Sequence, residues 1–311
     1  MSKDENKPSS DIRESTVEER PLSVAWQPLT PRGVAAFSRA RIGRLLVVQL
    51  IVALLVAAGV IWFLARIWFP TVRESIRQLP DTGLIQNQQL SSPHTSTEPL
   101  SENRFLAFVM NLENAGAPIL ATDLHIEFNR RSFALCSLLD CLVLDYPKES
   151  IIQFNRPELE SWWGAWQPVI YWLVGLGVVI WLFATWFALA TLYCPFVRIY
   201  TFFKDRQLTL VGSWKLSAAA LLPAALLAAG GIVLYGLGVI DLIRFLILWA
   251  LHLVVGWIYL FFSPLRLPRA SDARPSVHNP FGDGKPPPPA NPFISGGDTP
   301  PAESSSGPAP P

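Results

Sequence analysis

Cys136 and Cys141 stand five positions apart in SFALCSLLDC, and they are two of the chain's three cysteines. Two thiols can bridge each other or ligate a metal. Three cysteines without paired short spacings do not make a zinc site. On a helix, positions five apart diverge by about 140° and cannot be joined. Facing each other across a hairpin with SLLD as its loop, they would have Cα atoms roughly 4.5–5.5 Å apart, within disulfide reach. SLLD offers neither Gly nor Asn for a left-handed turn. A bridge and two half-buried free thiols are therefore both open. Closing so short a loop is worth roughly 2 kcal/mol in the chain-entropy account.

His252 is the second chemical candidate, the one residue among Asp, Glu, Lys, Arg and His in the apolar run Phe245–Phe262. A proton relay or metal ligand inside a membrane needs a partner carboxylate or a second histidine. The neighbouring runs supply neither, so His252 reads as a packed histidine bonding an adjacent helix. No phosphate loop, dinucleotide fingerprint, HExxH motif or intramembrane aspartate pair occurs. The chain reads as non-enzymatic, with no cofactor. A rival reading is a small transporter or channel component with a pathway near Pro223, Gly230 and His252.

The elements that position these residues are strongly apolar. Half of the 311 residues are hydrophobic and 16% are charged, against roughly 25% charged in a soluble domain. Four runs, 45–69, 167–193, 216–240 and 245–262, reach or approach the ~20 residues that cross a hydrocarbon core. Lipid offers no partners to backbone amides, so helices are expected. The first run is too long for a signal-peptide core and is expected to stay as an anchor, with Arg66 near its end snorkelling to the headgroups. The expected fold class is a membrane all-α bundle of four transmembrane helices, with a small strand-rich extracytoplasmic domain and disordered tails.

Flanking cations set the direction. Arg32, Arg39, Arg41 and Arg44 precede the first run. Arg198, Lys204, Arg206 and Lys215 separate the second and third, and Arg266, Arg269 and Arg274 follow the fourth. Four crossings put all three clusters on one face, which is then cytoplasmic. Residues 1–44 read as a largely disordered cytoplasmic tail, 70–166 as the extracytoplasmic domain, 194–215 as a cytoplasmic interfacial link and 263–311 as a Pro-rich disordered tail. Cys136 and Cys141 then face a compartment that permits disulfides, while Cys194 stays a free thiol. The net charge of +1 says nothing about nucleic acid by itself; the charges are distributed by sidedness rather than gathered into a patch, and no nucleic-acid partner is expected.

Within 70–166, the stretches RFLAFVMNLE, DLHIEF, LCSLLDCLVLDY and SIIQF have strand length and strand periodicity. A helix over Pro70–Gln78 is expected to continue the first span. Trp162, Trp163, Trp166 and Tyr171 read as an interfacial belt rather than a ligand-stacking cluster. Ala220, Ala224, Ala228 and Gly231 form a small-residue ladder for close packing against the chain's own second or fourth span. Pro223 and Gly230–Gly231 invite a kink, and Asp241 suits an N-cap.

The C-terminal tail carries a twelve-residue repeat in which Asn279-Pro280-Phe281 recurs as Asn291-Pro292-Phe293. Such triplets resemble the ligands of EH domains, and two on one flexible chain gain from effective concentration. Compositional drift is the competing reading. The RQLPDTGLIQNQQL stretch, with Leu79, Pro80 and Gly83, and DLHIEF further on resemble an uncharacterised bacterial family of multi-pass membrane proteins, the maltodextrin-utilisation-associated type. That resemblance implies one span, a strand-rich insert and then clustered spans, and no catalytic residues. The expectation is an envelope scaffold or interaction protein of a bacterial cytoplasmic membrane. Its partners would be the lipid bilayer and proteins met through the outer domain and the C-terminal tail.

Overall fold

The structure is a computed structural model that describes residues 27–269, apart from 94–98, 114–121 and 139. The two NPF triplets lie outside the described residues. Four helical stretches are long and apolar enough to cross a membrane: Ile42–Arg77, Arg156–Phe203, Leu210–Gly236 and Leu242–Arg266.

A short helix comes first, α1 (Pro31–Phe37), capped by Thr30, whose hydroxyl accepts from Gly33 N at 3.0 Å. Val34 and Phe37 are wholly buried among the long helices. Within the tail expected over 1–44, residues 31–37 are therefore an ordered helix. Seven residues beside several arginines are too short a run to register as an apolar period. They fold because the bundle supplies the core, with Lys215 Nζ donating to Ala40 O at 2.7 Å.

The first long stretch is α2 (Ile42–Phe63), a single π-helical turn (Leu64–Trp68) and α3 (Phe69–Arg77). It runs without interruption through the expected span and its continuation. The second, α4 (Arg156–Phe203), has 48 residues and is capped by Asn155. At 1.5 Å per residue it is about 72 Å long, far more than a ~30 Å core requires. It absorbs the end of the expected outer domain, 156–166, and much of the expected interfacial link, 194–203. Pro168 and Pro195 sit inside it.

The third stretch is split at Leu221 into α5 (Leu210–Ala220) and α6 (Leu222–Gly236), with Pro223 in the first turn of α6. Proline lacks the amide that would continue the ladder, so the break falls where the sequence invites it. This stretch forms the centre of the bundle: Leu216, Ala218, Ala219, Ala220 and Leu222 are all wholly buried. The last, α7 (Leu242–Phe262), packs on α6. There, a side chain at Gly231 would run into Leu248 at 2.8 Å. The small-residue ladder thus serves packing within the chain. By contrast, α4 and α7 are almost unburied: Trp172 is 81%, Trp181 73% and Ile247 63% exposed.

Between α3 and α4 lie eight strands. β1 (Leu84–Gln86), β2 (Gln89–Ser91) and β8 (Ile152–Gln153) form a three-stranded sheet ordered β2-β1-β8. β3 (Pro99–Glu102), β4 (Leu106–Asn111), β5 (Leu124–Asn129), β6 (Ser132–Ser137) and β7 (Cys141–Asp145) form a five-stranded sheet in chain order, with β4 and β5 parallel. β4 is buried along its whole length. Leu106, Phe108 and Met110 join Leu79, Ile85 and Phe154 in the domain core. Leu79-Pro80 and Gly83 tie the ends of this insert together. Phe154 N donates to Gly83 O at 3.0 Å and Arg156 N to Pro80 O at 3.1 Å. A Cβ on Gly83 would lie 2.2 Å from Phe154 O, so only glycine fits.

Candidate functional site

Cys136 and Cys141 are directly opposed in the β6–β7 hairpin and joined by a disulfide, with Cα atoms 4.0 Å apart. The turn between them closes through Ser137 N donating to Asp140 O at 3.0 Å. Ser137–Asp140 and Arg131–Tyr146 are hydrogen-bonded pairs of this antiparallel ladder. Alternation makes Leu135–Leu142 and Phe133–Leu144 hydrogen-bonded as well, and Ala134–Val143 not. Val143 therefore turns its N–H and C=O away from β6. β7 is the last strand of its sheet among the described residues, so that side is an open edge there. All five β7 residues are exposed, with Leu142 at 57% and Val143 at 58%. An apolar edge with no neighbouring strand is a template for another strand.

The sheet domain is latched to the helices through the loop between β3 and β4. Asn103 Oδ1 accepts from Phe105 N and Leu106 N, both at 2.8 Å, which fixes the loop. Its Nδ2 donates to Ile67 O at 3.0 Å, a carbonyl of the π-helical turn. Arg104 donates to Gly238 O at 3.0 Å and Ile240 O at 3.3 Å, in the turn between α6 and α7. Gly238 holds a φ of +72° there, which a side chain would oppose. Phe105 meets Phe63 and Tyr235 edge-on at 5.7 and 4.9 Å. Tyr235 OH donates to Asp123 Oδ2 at 2.6 Å.

Sequence reasoning singled out none of Asn103, Arg104, Asp123 and Tyr235. Their partners lie up to 136 positions away, so no local pattern announces them. Deeper in the domain, Glu127 is buried and its Oε1 accepts from Asn111 Nδ2 at 2.7 Å. Burial raises the Tyr146 phenol well above its usual range, and its OH donates to Asn129 O at 3.0 Å.

Between α4 and α7 lies an apolar cleft of 790 Å³. His252 lines it, but its Nδ1 is engaged with Trp249 O of its own helix, and its ring lies 4.8 Å from the Trp249 ring. The expected bond to an adjacent helix is thus replaced by one within α7, because a side chain bordering a cleft meets no neighbouring helix. Pro223 is buried outside the cleft lining, and Gly230 is exposed with open space around it. These three residues are not gathered at one place.

Among the tryptophans near the start of α4, Trp163 meets Phe69 edge-on at 5.0 Å, whereas Trp162 and Trp166 stack on each other and stay about half exposed. Tyr171 also lies on Phe69, at 4.7 Å. Cys194 is a free, buried thiol whose Sγ donates to Leu210 O at 3.7 Å. No group of three or more metal-ligating side chains occurs among the described residues.

No family model, curated protein or solved structure matches this chain.

Proposed function

We propose that the chain is a non-enzymatic integral membrane protein that presents its sheet domain to an envelope partner. It crosses a bacterial cytoplasmic membrane four times, with both ends and the NPF repeats on the cytoplasmic face. The membrane reading is supported by rings such as Trp172 and Trp181, each more than 70% exposed on a helix of spanning length. Water would not tolerate apolar faces of that extent. The orientation is supported by the three cation clusters, which four crossings bring to one face. The bacterial assignment is supported by the resemblance at Leu79, Pro80 and Gly83.

The observation that carries the interaction role is the open edge of β7. Its tip is cross-linked, its apolar side chains are exposed, and the latch at Asn103 and Arg104 holds its domain in one pose over the helices. A partner strand added there gains main-chain hydrogen bonds plus pockets for Leu142 and Leu144. Affinity capture of the intact protein in detergent, quantified by mass spectrometry, tests this. Val143→Pro removes an outward amide without touching the β6–β7 ladder. Loss of specific captured proteins in that variant is expected. An identical partner set in both proteins would overturn strand addition.

The cleft beside His252 favours the rival, a small transporter or channel component. A specific solute flux in liposomes, abolished by His252→Ala, would establish it. We expect none, because the cleft offers a solute almost no polar groups.

A further inference from the structure

We infer that the cleft between α4 and α7 is a binding site for one acyl chain of a bilayer lipid, taken from the leaflet beside the sheet domain. The inference rests on the four helices crossing a bilayer and is independent of any partner at β7.

The shape comes from the sequence. Ala224, Ala228 and Gly231 of α6 keep the floor low, and Gly177 of α4 and Gly256 of α7 thin the walls. α4 and α7 meet at the far end of the cleft through Tyr193 on Trp257 at 5.2 Å and, beyond it, through Tyr200 on Phe261 at 5.7 Å. That end is closed by aromatic contacts. The side between the helices is open to the surroundings, which for faces so apolar are lipid.

The near end leads on. A second cavity of 420 Å³ shares Val60, Ile232, Phe245 and Leu246 with the first and reaches beneath the sheet domain to Asp123, Ser137 and Leu138. This second cavity is as apolar as the first, and its one carboxylate, Asp123, is engaged by Tyr235 OH, so the apolar path continues up to the level of the latch. The cleft is long. Its lining runs from Phe245 to Trp257 along α7, about 18 Å, and from Gly177 to Tyr193 along α4, about 24 Å at 1.5 Å per residue. That exceeds the ~15 Å depth of one leaflet of a ~30 Å core, so a chain lying along it reaches past the midplane. The cleft volume lies within the range of built ligand sites, about 300–1,000 Å³. Among the residues lining the cleft, the ionisable side chains are His252 and Tyr193, which argues against a polar solute.

The test uses the full chain reconstituted in phosphatidylcholine vesicles doped with a phospholipid that carries a diazirine near its acyl terminus. After irradiation, labelled peptides are mapped by mass spectrometry. Label concentrated on the cleft-facing positions of α4 and α7, such as Leu182, Leu189 and Leu253, is expected. Ala228→Phe and Gly177→Trp fill the cleft, and Gly177 has open space for a side chain. Both variants should lose most of that label. Leu176→Trp, outside the cleft lining and 58% exposed, should keep it.

Label spread evenly over outward positions such as Leu176 and Ile180 would overturn the site, and that distribution is read in the unaltered protein. Retention of the label in both filled variants would overturn it too. A disulfide between two copies of an Ala228→Cys variant in the same vesicles would show a second chain in the cleft in place of lipid. None of these outcomes bears on capture through β7.

Discussion

At the scale of single residues, the Cys136–Cys141 bridge is the clearest constraint. It spans a pair whose backbones already face each other, so it holds the tip of an edge strand that has a neighbour on one side alone. Replacing both cysteines by serine should cost the sheet domain about 2 kcal/mol, seen as a lower thermal midpoint and faster proteolysis within 132–145. In intact cells, an impermeant maleimide should label the pair only after reduction, whereas Cys194 should stay unlabelled. Arg104 is the second such residue. Its side chain is exposed, so its two bonds to Gly238 O and Ile240 O are partly screened by water. Arg104→Ala should cost about 1 kcal/mol, the usual net worth of such contacts. Amide exchange in the turn at Gly238–Asp241 should quicken about fivefold. Unchanged exchange there would mean that the latch is carried by Asn103 and the Tyr235–Asp123 bond alone.

At the scale of elements, helix ends were readable where a cap or a proline marked them. Asp241 is the N-cap of α7, with Oδ1 accepting from Arg244 N at 2.8 Å. Asp241→Ala should cost about 1 kcal/mol, measured as faster amide exchange confined to the first turn, Leu242–Phe245. Pro223 marks the break between α5 and α6 for the same local reason. Other ends were not readable. α4 runs well past its apolar core in both directions because Asn155 starts it early and the segment 194–203 keeps its helical hydrogen bonds despite Pro195. The π-helical turn at Leu64–Trp68 has no sequence signature either. One of its carbonyls, Ile67 O, accepts from Thr71 Oγ1 at 3.0 Å within the same helical stretch and from Asn103 Nδ2 at 3.0 Å, and the second partner is present only once the domain is docked.

At the scale of the whole molecule, the cation clusters predict sidedness and the sheet domain tests it. A cysteine at Leu142 should react with an impermeant reagent from outside intact cells, in a background lacking the native bridge. A cysteine at Phe203 should react only after permeabilisation. Reversed reactivity would overturn the orientation, and with it the argument that the Cys136–Cys141 pair meets an oxidising compartment. The long helices were legible because apolar runs of spanning length are a local property, counted residue by residue. β4 was legible as a buried strand for the same reason. α1 was not, since Val34, Ala35 and Phe37 are too few to show a period and are buried only by helices far along the chain.

By itself, the sequence determined where the apolar helices and strands lie, and it carries the cation clusters on which the proposed sidedness rests. Hydrophobic periodicity, prolines and flanking charge act on neighbours within a few positions. The tertiary structure alone decided that β7 is an open edge, that Asn103 and Arg104 clamp the domain to the helices, and that α4 and α7 part around a lipid-sized cleft. Each of these depends on surfaces meeting across more than thirty to more than a hundred positions, as with Arg104 and Gly238 at 134 apart or Asn103 and Ile67 at 36. Such meetings are set by how finished elements pack, which no short window of residues contains.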